Sequence, residues 1–249
     1  MQRSLGVASL LALVLAVSVG AEDAPEYRYS VDFTRGHADT WTKHLGRLVG
    51  RADARGLEIG CFEGGSTLWF LQQVLTHPNS RMTCIDVFTE EIEANFDHNV
   101  RISGQADRIV KHKGYSQDVL RGLEPESFDF VYIDGCHLAS CVLTDAVLSW
   151  DLLKPDGILI FDDYMFGATK PASQRPQFAI DAFLEVFSDQ IELEELGLQV
   201  IVRKKTGRND KDLVGEPLVH DPAWLKRVRQ RNEWIKRRRQ QAEPKQQAD

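Results

Sequence analysis

Three carboxylates follow two apolar runs of the sequence, each at the point where a run ends. Asp134 closes the run Phe128–Gly135, and Asp162 and Asp163 close the run Gly157–Tyr164. If both runs are neighbouring parallel strands, these acids meet at one edge of a sheet and repel one another unless a cation lies between them. Oxygen ligands suit Mg²⁺, with Mn²⁺ or Ca²⁺ as substitutes. The pattern predicts a divalent cation site, with loop capping or pairing to a basic side chain as the alternative for Asp162.

His137 follows Asp134 by three residues. A neutral imidazole has a pKa near physiological pH and can accept the proton of a hydroxyl group. The alternative for a histidine at a helix start is a purely structural hydrogen bond. For a histidine considered alone, the structural hydrogen bond is the preferred interpretation.

A glycine-rich turn follows an earlier apolar run, and a second run ends in an acid. The turn spans Gly60–Thr67, and Asp86 stands 26 residues after Gly60. Glycines allow a tight turn, and a strand-ending carboxylate can accept two hydrogen bonds from ribose hydroxyls. Phe62 occupies the second glycine position of the dinucleotide fingerprint G-x-G-x-x-G, so no bare backbone is offered to a pyrophosphate. The pattern favours a nucleoside ligand without phosphates, whereas the turn alone could be a plain strand-to-helix connection.

Short apolar runs alternate with segments of helical period from Ala54 onward, as is typical of βα units. The predicted strands are Gly56–Gly60, Arg81–Phe88, Arg108–Gly114, Phe128–Gly135, Gly157–Tyr164, and a closing hairpin of Ile191–Glu195 and Gln199–Lys204. A long apolar stripe from Leu138 to Leu153 predicts a helix that Pro155 and Gly157 terminate. The sequence therefore predicts an α/β fold with a doubly wound, mostly parallel sheet.

Five segments together are similar to the motifs of one enzyme family. They are Leu57–Phe70, Cys84–Phe88, Tyr132–His137, Leu153–Gly157 and Phe161–Tyr164. On these segments the chain resembles the class I S-adenosylmethionine-dependent methyltransferases. Within that class it is closest to the small-molecule O-methyltransferase branch that includes macrolide-sugar and cephalosporin-biosynthesis methyltransferase-like proteins. The resemblance implies a methyltransferase domain over residues 38–205, with a Rossmann-like sheet of seven strands, one of them antiparallel.

The resemblance also implies two cofactors, S-adenosylmethionine and Mg²⁺ or a similar divalent cation. The implied contacts to S-adenosylmethionine are Glu58, Gly60, Gly64 and Ser66 on its methionine and ribose side, Asp86 at its ribose, and Ser116 near its adenine. The implied metal ligands are Asp134, Asp162 and Asp163, and the implied catalytic residues are His137, as base, and Asp134. One departure is Asp156, where the family has a glycine in its Lys-Pro-Gly-Gly turn, and we expect it to alter loop conformation alone.

Both ends of the chain differ in composition from the predicted domain. Residues 1–21 combine one basic residue, a long uncharged run and terminal small residues, which predicts a cleaved signal peptide and a secreted or periplasmic protein. A membrane anchor formed by residues 4–21 and an organelle address are the alternatives. Residues 206–221 are a predicted linker. Residues 222–249 carry nine Lys or Arg against three acids, predicting a basic helix that packs on the acidic body or contacts an anionic membrane surface.

The predicted activity is divalent-metal-assisted O-methyl transfer to a hydroxylated small molecule or sugar. We expect Ser30–His44 and Met165–Arg175 to select this acceptor. The net charge of −7 is even more negative without the basic tail, which argues against nucleic acid as the main ligand. The alternatives are a lumenal metal-dependent glycosyltransferase, which does not account for the glycine turn coupled to Asp86, and a cofactor-binding module without turnover, which does not account for the acids and His137. The sequence predicts no particular acceptor and no oligomeric state.

Overall fold

A computed structural model of the chain describes residues 26–205. The predicted leader (1–21), linker (206–221) and basic tail (222–249) lie outside the described residues. Within residues 26–205, no helix combines the length and the apolar character needed to cross a membrane.

Seven strands form one sheet whose order is β3-β2-β1-β4-β5-β7-β6. They are β1 (Arg55–Ile59), β2 (Arg81–Asp86), β3 (Ile109–Lys113), β4 (Phe128–Ile133), β5 (Leu153–Phe161), β6 (Ile191–Leu196) and β7 (Val200–Lys204). The first five are parallel, and β7 runs antiparallel to both of its neighbours, β5 and β6. The predicted fold class, a mostly parallel seven-stranded sheet with one antiparallel strand, is confirmed.

Helices cover both faces of this sheet, so that nearly every residue of the central strands β1 and β4 is buried. The α-helices are α1 (Ala38–Leu45), α2 (Gly65–Gln73), α3 (Glu90–Ser103), α4 (Ser116–Leu120), α5 (Ala139–Leu152) and α6 (Pro176–Val186). Short 3-10 turns occupy Thr34–Gly36, Gly46–Leu48, Ala106–Arg108 and Ala172–Gln174. Trp41, Phe70 and Phe96 of α1 to α3 pack on one face, and Trp150 and Phe183 of α5 and α6 pack on the other. The sheet is therefore doubly wound, and its carboxyl edge is left to the loops.

The start of β5 differs from the prediction. The strand begins at Leu153, directly after α5 ends at Leu152, and Pro155 and Gly157 lie inside it. Proline disfavours helical geometry in the residue before it, so the helix ends early. Since proline also lacks an N–H, the pairing of β5 with β4 shifts register between Phe128 and Phe130.

Asp156 occupies the left-handed region at the beginning of β5. Its φ is +66°, a conformation that the family's glycine adopts without strain and that aspartate tolerates better than most residues. Arg47 and Arg203 donate to Asp156 and hold the pKa of its carboxyl below its usual value. These contacts lie at the end of β5 opposite to Asp162 and Asp163.

Candidate active site

The glycine-rich turn joins β1 to α2 at the carboxyl edge of the sheet. Gly60 has a φ of +88°, and a Cβ at this position would lie 2.1 Å from the carbonyl oxygen of Asp134. Gly64 has a φ of +84°, and a Cβ there would press on the ring of Phe96 at 3.1 Å. Both glycines are therefore required by backbone geometry and by close approach. The turn lies directly against the end of β4, so the predicted nucleoside site and the predicted cation site are adjacent.

Glu58 lies beneath this turn with no exposed surface. Its two carboxylate oxygens accept hydrogen bonds from Ser66 and Thr67, the hydroxyl residues of the first turn of α2. Burial raises the pKa of Glu58 to about 7, against the lowering effect of the two hydroxyl donors. Glu58 thus anchors α2 to β1 in the described structure, and its direct contact with a ligand stays a prediction.

We expect Glu58→Gln to remove a pH dependence of stability. The pKa of Glu58 rises from 4.5 to about 7 on folding, so the folded state holds the proton more tightly and the free energy of unfolding falls as pH rises through this interval. Glutamine keeps the shape and cannot ionise. Urea unfolding near pH 5 and near pH 8 checks this. Between these two pH values, the free energy of unfolding of the wild type should fall on the order of 2–3 kcal/mol further than that of the variant. An equal slope in both proteins would contradict it.

Asp86 ends β2 and turns its carboxylate towards the glycine-rich turn. Oδ2 accepts a hydrogen bond from the backbone N–H of Phe62 at 3.0 Å, and Oδ1 accepts one from the N–H of Phe88 at 2.8 Å. A carboxylate has about four acceptor positions, so two remain for further donors. Asp86 is partly exposed and its geometry suits a pair of ribose hydroxyls, whose recognition stays a prediction.

Ser116 begins α4 and donates to Oδ1 of Asp145 at 2.6 Å. Asp145 lies on the buried face of α5, and burial raises the pKa of its carboxyl to about 6. The sequence analysis did not single out Asp145, although an acid within the apolar stripe of α5 is a signal that could have identified it. The predicted contact of Ser116 with adenine is untested, and its hydroxyl already has a partner.

Residues 28–33, near the start of the described chain, pack against the glycine-rich turn and the helix that follows Asp86. Glu63, which is 3% exposed, accepts hydrogen bonds from the N–H and the hydroxyl of Ser30 at 2.6 and 3.0 Å. Asn99 is fully buried and binds the backbone of Arg28 through both ends of its amide, at 2.7 and 2.9 Å. Phe33 packs edge-on against Phe62. Residues 28–33 therefore lie over the turn, which the sequence analysis did not foresee because these contacts join segments far apart in the chain.

The three predicted acids meet at the carboxyl edge of β4 and β5. The Tyr132 hydroxyl lies 3.0 Å from Oδ2 of Asp134 and donates to Asp162. Burial and the nearby charge of Asp162 raise the pKa of Asp134 to about 8. A phenol has one proton, so Asp134 in its protonated form can donate to Tyr132 while Tyr132 donates to Asp162. Three carboxyl groups so close together carry more negative charge than they can hold unprotonated, and a divalent cation would neutralise it. Their oxygen atoms are ligands that fit Mg²⁺ or Mn²⁺.

His137 lies in the loop just before α5. Its Nε2 is 2.6 Å from Oδ2 of Asp163, and this hydrogen bond raises the pKa of the imidazole. The ring of Phe166 packs on the His137 ring at 4.2 Å between centroids, and Lys170 lies over the same phenyl ring. Asp163 has a φ of +59°, in the left-handed region that aspartate tolerates better than most residues. The imidazole is therefore held in place on two sides.

Ligand atoms of Asp134, His137 and Asp163 lie within 4.8 Å of one another. Asp162 stands beside this group, and its oxygens accept hydrogen bonds from Tyr132, Gln199 and the N–H of Asp163. The structure thus brings together all four residues predicted to hold the cation and the proton. The roles of Asp134, Asp162 and Asp163 as metal ligands and of His137 as a base stay predictions.

Three residues at this cluster were missed by the sequence analysis. Tyr132 lies within the apolar strand β4, His37 approaches Oδ2 of Asp162 with its Nε2 at 3.8 Å, and Gln199 precedes β7. A tyrosine two residues before a strand-ending acid points to the same face as that acid, a signal that could have identified Tyr132. His37 and Phe166 belong to the two segments expected to select the acceptor.

Comparison with known proteins agrees with this geometry. Residues 57–164 match a protein family described as a methyltransferase domain. The O-methyltransferase hkm8 of Aspergillus hancockii is 30% identical over 111 residues, which are 43% of this chain and 41% of hkm8. The chain spans about half the length of the curated relatives it matches.

Solved structures show the same fold. An O-methyltransferase from Bacillus cereus in complex with SAH superposes with a TM-score of 0.55 at 18% identity, covering 73% of this chain and 84% of that chain. MycE of the mycinamycin biosynthetic pathway, in complex with Mg and SAH, gives a TM-score of 0.54 at 20% identity, covering 76% of this chain and 53% of MycE. Residues 57–164 are therefore similar to a methyltransferase domain, and the described part of the chain has the fold of these O-methyltransferase structures.

Proposed function

We propose that the protein transfers a methyl group from S-adenosylmethionine to a hydroxyl oxygen of a small molecule or sugar, with a divalent cation assisting. The observation that carries the proposal is the convergence of Asp134, His137, Asp162 and Asp163 at the sheet edge next to the Gly60 turn. One half of the site suits a nucleoside, and the other suits a hydroxyl group that loses its proton. Their adjacency is what a direct transfer between two bound reactants requires.

His137 takes the acceptor proton in this proposal. When bound, S-adenosylmethionine supplies the methyl group, and a divalent cation supplies positive charge beside the acceptor oxygen. His137 must be neutral to accept the proton, and Asp163 orients its Nε2 while favouring the protonated imidazolium that results. Phe166 restricts the rotation of the imidazole ring. Because neutral His137 donates its Nε2–H to Asp163, its lone pair lies on Nδ1, and Nδ1 is the atom that would take the hydroxyl proton. With S-adenosylmethionine bound, the acceptor oxygen would form its bond to the methyl carbon while the methyl–sulfur bond breaks and its electron pair stays on sulfur.

Asp134, Asp162 and Asp163 would hold the cation. Mg²⁺ in MycE, a protein of the same fold, supports this assignment. The raised pKa of Asp134 supports it as well, because a cation replaces the proton that the carboxyl otherwise retains.

The direct test is transfer of a labelled methyl group to a panel of catechols, flavonoids and sugars, with Mg²⁺ or with a chelator. We expect turnover that falls at least about 100-fold on chelation and returns with Mg²⁺. Asp163→Asn should lose turnover to a similar extent. The matched control is Asp156→Asn, since both aspartates have a φ near +60° and Asp156 lies at the opposite end of β5. Turnover that is unchanged by the chelator would contradict metal assistance. If the protein binds the cofactor but methylates none of the acceptors, the enzymatic proposal is contradicted.

We further propose that residues 1–21 export the domain from the cytosol and that residues 222–249 contact an anionic membrane surface or the acidic body of the protein. The composition of these two segments supports this part of the proposal. Release of the first 21 residues by the secretory machinery, read by mass spectrometry of the mature N-terminus, would test the first statement.

A further inference from the structure

A chain of hydrogen bonds runs from the core to the acidic cluster. The indole N–H of Trp41 donates to Oε1 of Gln199 at 3.0 Å, and Nε2 of Gln199 donates to Oδ2 of Asp162 at 2.9 Å. The same carboxylate accepts from Tyr132, whose hydroxyl also contacts Asp134. Trp41 is 1% exposed and Gln199 is 3% exposed, so both contacts are shielded from water. The buried amide of Gln199, just before β7, therefore links Trp41 of α1 to the Asp162 carboxylate at the end of β5.

The neighbours of Gln199 fix which way its amide faces. The indole of Trp41 is a donor without acceptor capacity, so the oxygen end of the amide must face Trp41. The NH₂ end is then directed at Asp162, which as a carboxylate accepts. A hydrocarbon side chain at position 199 would leave the buried indole N–H without this acceptor, which is costly, and would remove one donor from Oδ2 of Asp162, which Tyr132 also contacts.

We propose that Gln199 is a positioning residue, whose amide holds the Asp162 carboxylate, and through Tyr132 that of Asp134, in the arrangement that receives a divalent cation. The inference rests on the cation site of the proposed function and extends it to a residue outside the ligand set. Groups that orient metal ligands typically change metal affinity by about 10- to 100-fold when they are removed.

The fold contains a matched control for this contact. Trp150 donates to Oε1 of Gln190 at 3.3 Å, the same pairing of residue types, on the other face of the sheet and among the residues around Phe183. Gln199→Met and Gln190→Met each remove one tryptophan partner. Only the first also removes a donor from Asp162.

The experiment measures Mn²⁺ binding to the full chain by the electron paramagnetic resonance of the free ion, without S-adenosylmethionine. We expect Gln199→Met to raise the Kd for Mn²⁺ about tenfold or more and Gln190→Met to leave it within about twofold, at similar melting temperatures. In turnover, Gln199→Met should raise the Mg²⁺ concentration for half-maximal rate while the KM for S-adenosylmethionine stays unchanged. Trp41→Phe removes the donor to the Gln199 amide oxygen and should also raise the Kd for Mn²⁺. This variant decides the question if Gln199→Met does not fold.

Two unfavourable outcomes are distinguishable. If the wild type binds Mn²⁺ and Gln199→Met binds it equally well, the positioning role is overturned and the proposed function stands. If the wild type itself does not bind Mn²⁺, the cation part of the proposed function fails, and the positioning role fails with it.

Discussion

His137→Ala should lower kcat by about 100- to 10,000-fold while leaving the affinity for S-adenosylmethionine unchanged. The imidazole of His137 can be neutral near physiological pH and accept a proton, and the 2.6 Å contact between its Nε2 and Asp163 orients the ring. The glycine-rich turn and Asp86 do not depend on it. Single-turnover methyl transfer and calorimetric titration of the cofactor together separate the two effects.

His77→Ala provides the control for this variant. His77 lies between α2 and β2, at the edge of the sheet opposite to the cluster, and accepts a hydrogen bond from the N–H of Asn79. It should retain wild-type turnover. A His137→Ala enzyme with normal kcat would show that another group or solvent takes the proton, and the mechanism proposed for His137 would be wrong.

Asp86→Ala should weaken the binding of S-adenosylmethionine by about 100-fold or more. The substitution removes the two hydrogen bonds that Asp86 accepts from Phe62 and Phe88, and it removes the acceptors predicted for the ribose hydroxyls. Hydrogen bonds to a charged group are each worth about 1.5–3 kcal/mol, so the loss of two accounts for this range. Calorimetry measures the Kd directly, and circular dichroism shows whether the turn still folds.

Asp97→Ala is the matched acidic control. Asp97 lies exposed on the surface of α3 and pairs with Lys111 of β3. It should bind the cofactor as the wild type does. Normal binding by a folded Asp86→Ala protein would contradict the assignment of the nucleoside site to the end of β2.

The sheet and the meeting of the acids were predictable because parallel strands bring their carboxyl ends to one edge. Asp134 and Asp162 each end an apolar run, so their proximity followed from strand order alone. The environment of Glu58 was not predictable in this way. An acid that alternates with Leu57 and Ile59 is typical of an exposed strand face, whereas α2 covers Glu58 and supplies Ser66 and Thr67 to its two oxygens, which depends on how α2 packs.

Gln199 and His37 were beyond sequence reasoning for a related reason. Each reaches Asp162 from an element far away in the chain, and neither stands in a motif. The early start of β5 arises from the competition between a helix-period pattern and the proline at position 155, which the local geometry of the residue before proline decides. Local patterns therefore predicted the residues proposed to act, and tertiary contacts determined which residues surround them.

The central claim is that the edge of this sheet binds S-adenosylmethionine, and calorimetric titration of the cofactor into the full chain in the presence of Mg²⁺ tests it most directly. The account predicts saturable binding at one site per chain, weakened by Asp86→Ala and unaffected by His137→Ala. Absence of binding to a folded sample, or tighter binding of a nucleotide sugar, would contradict it.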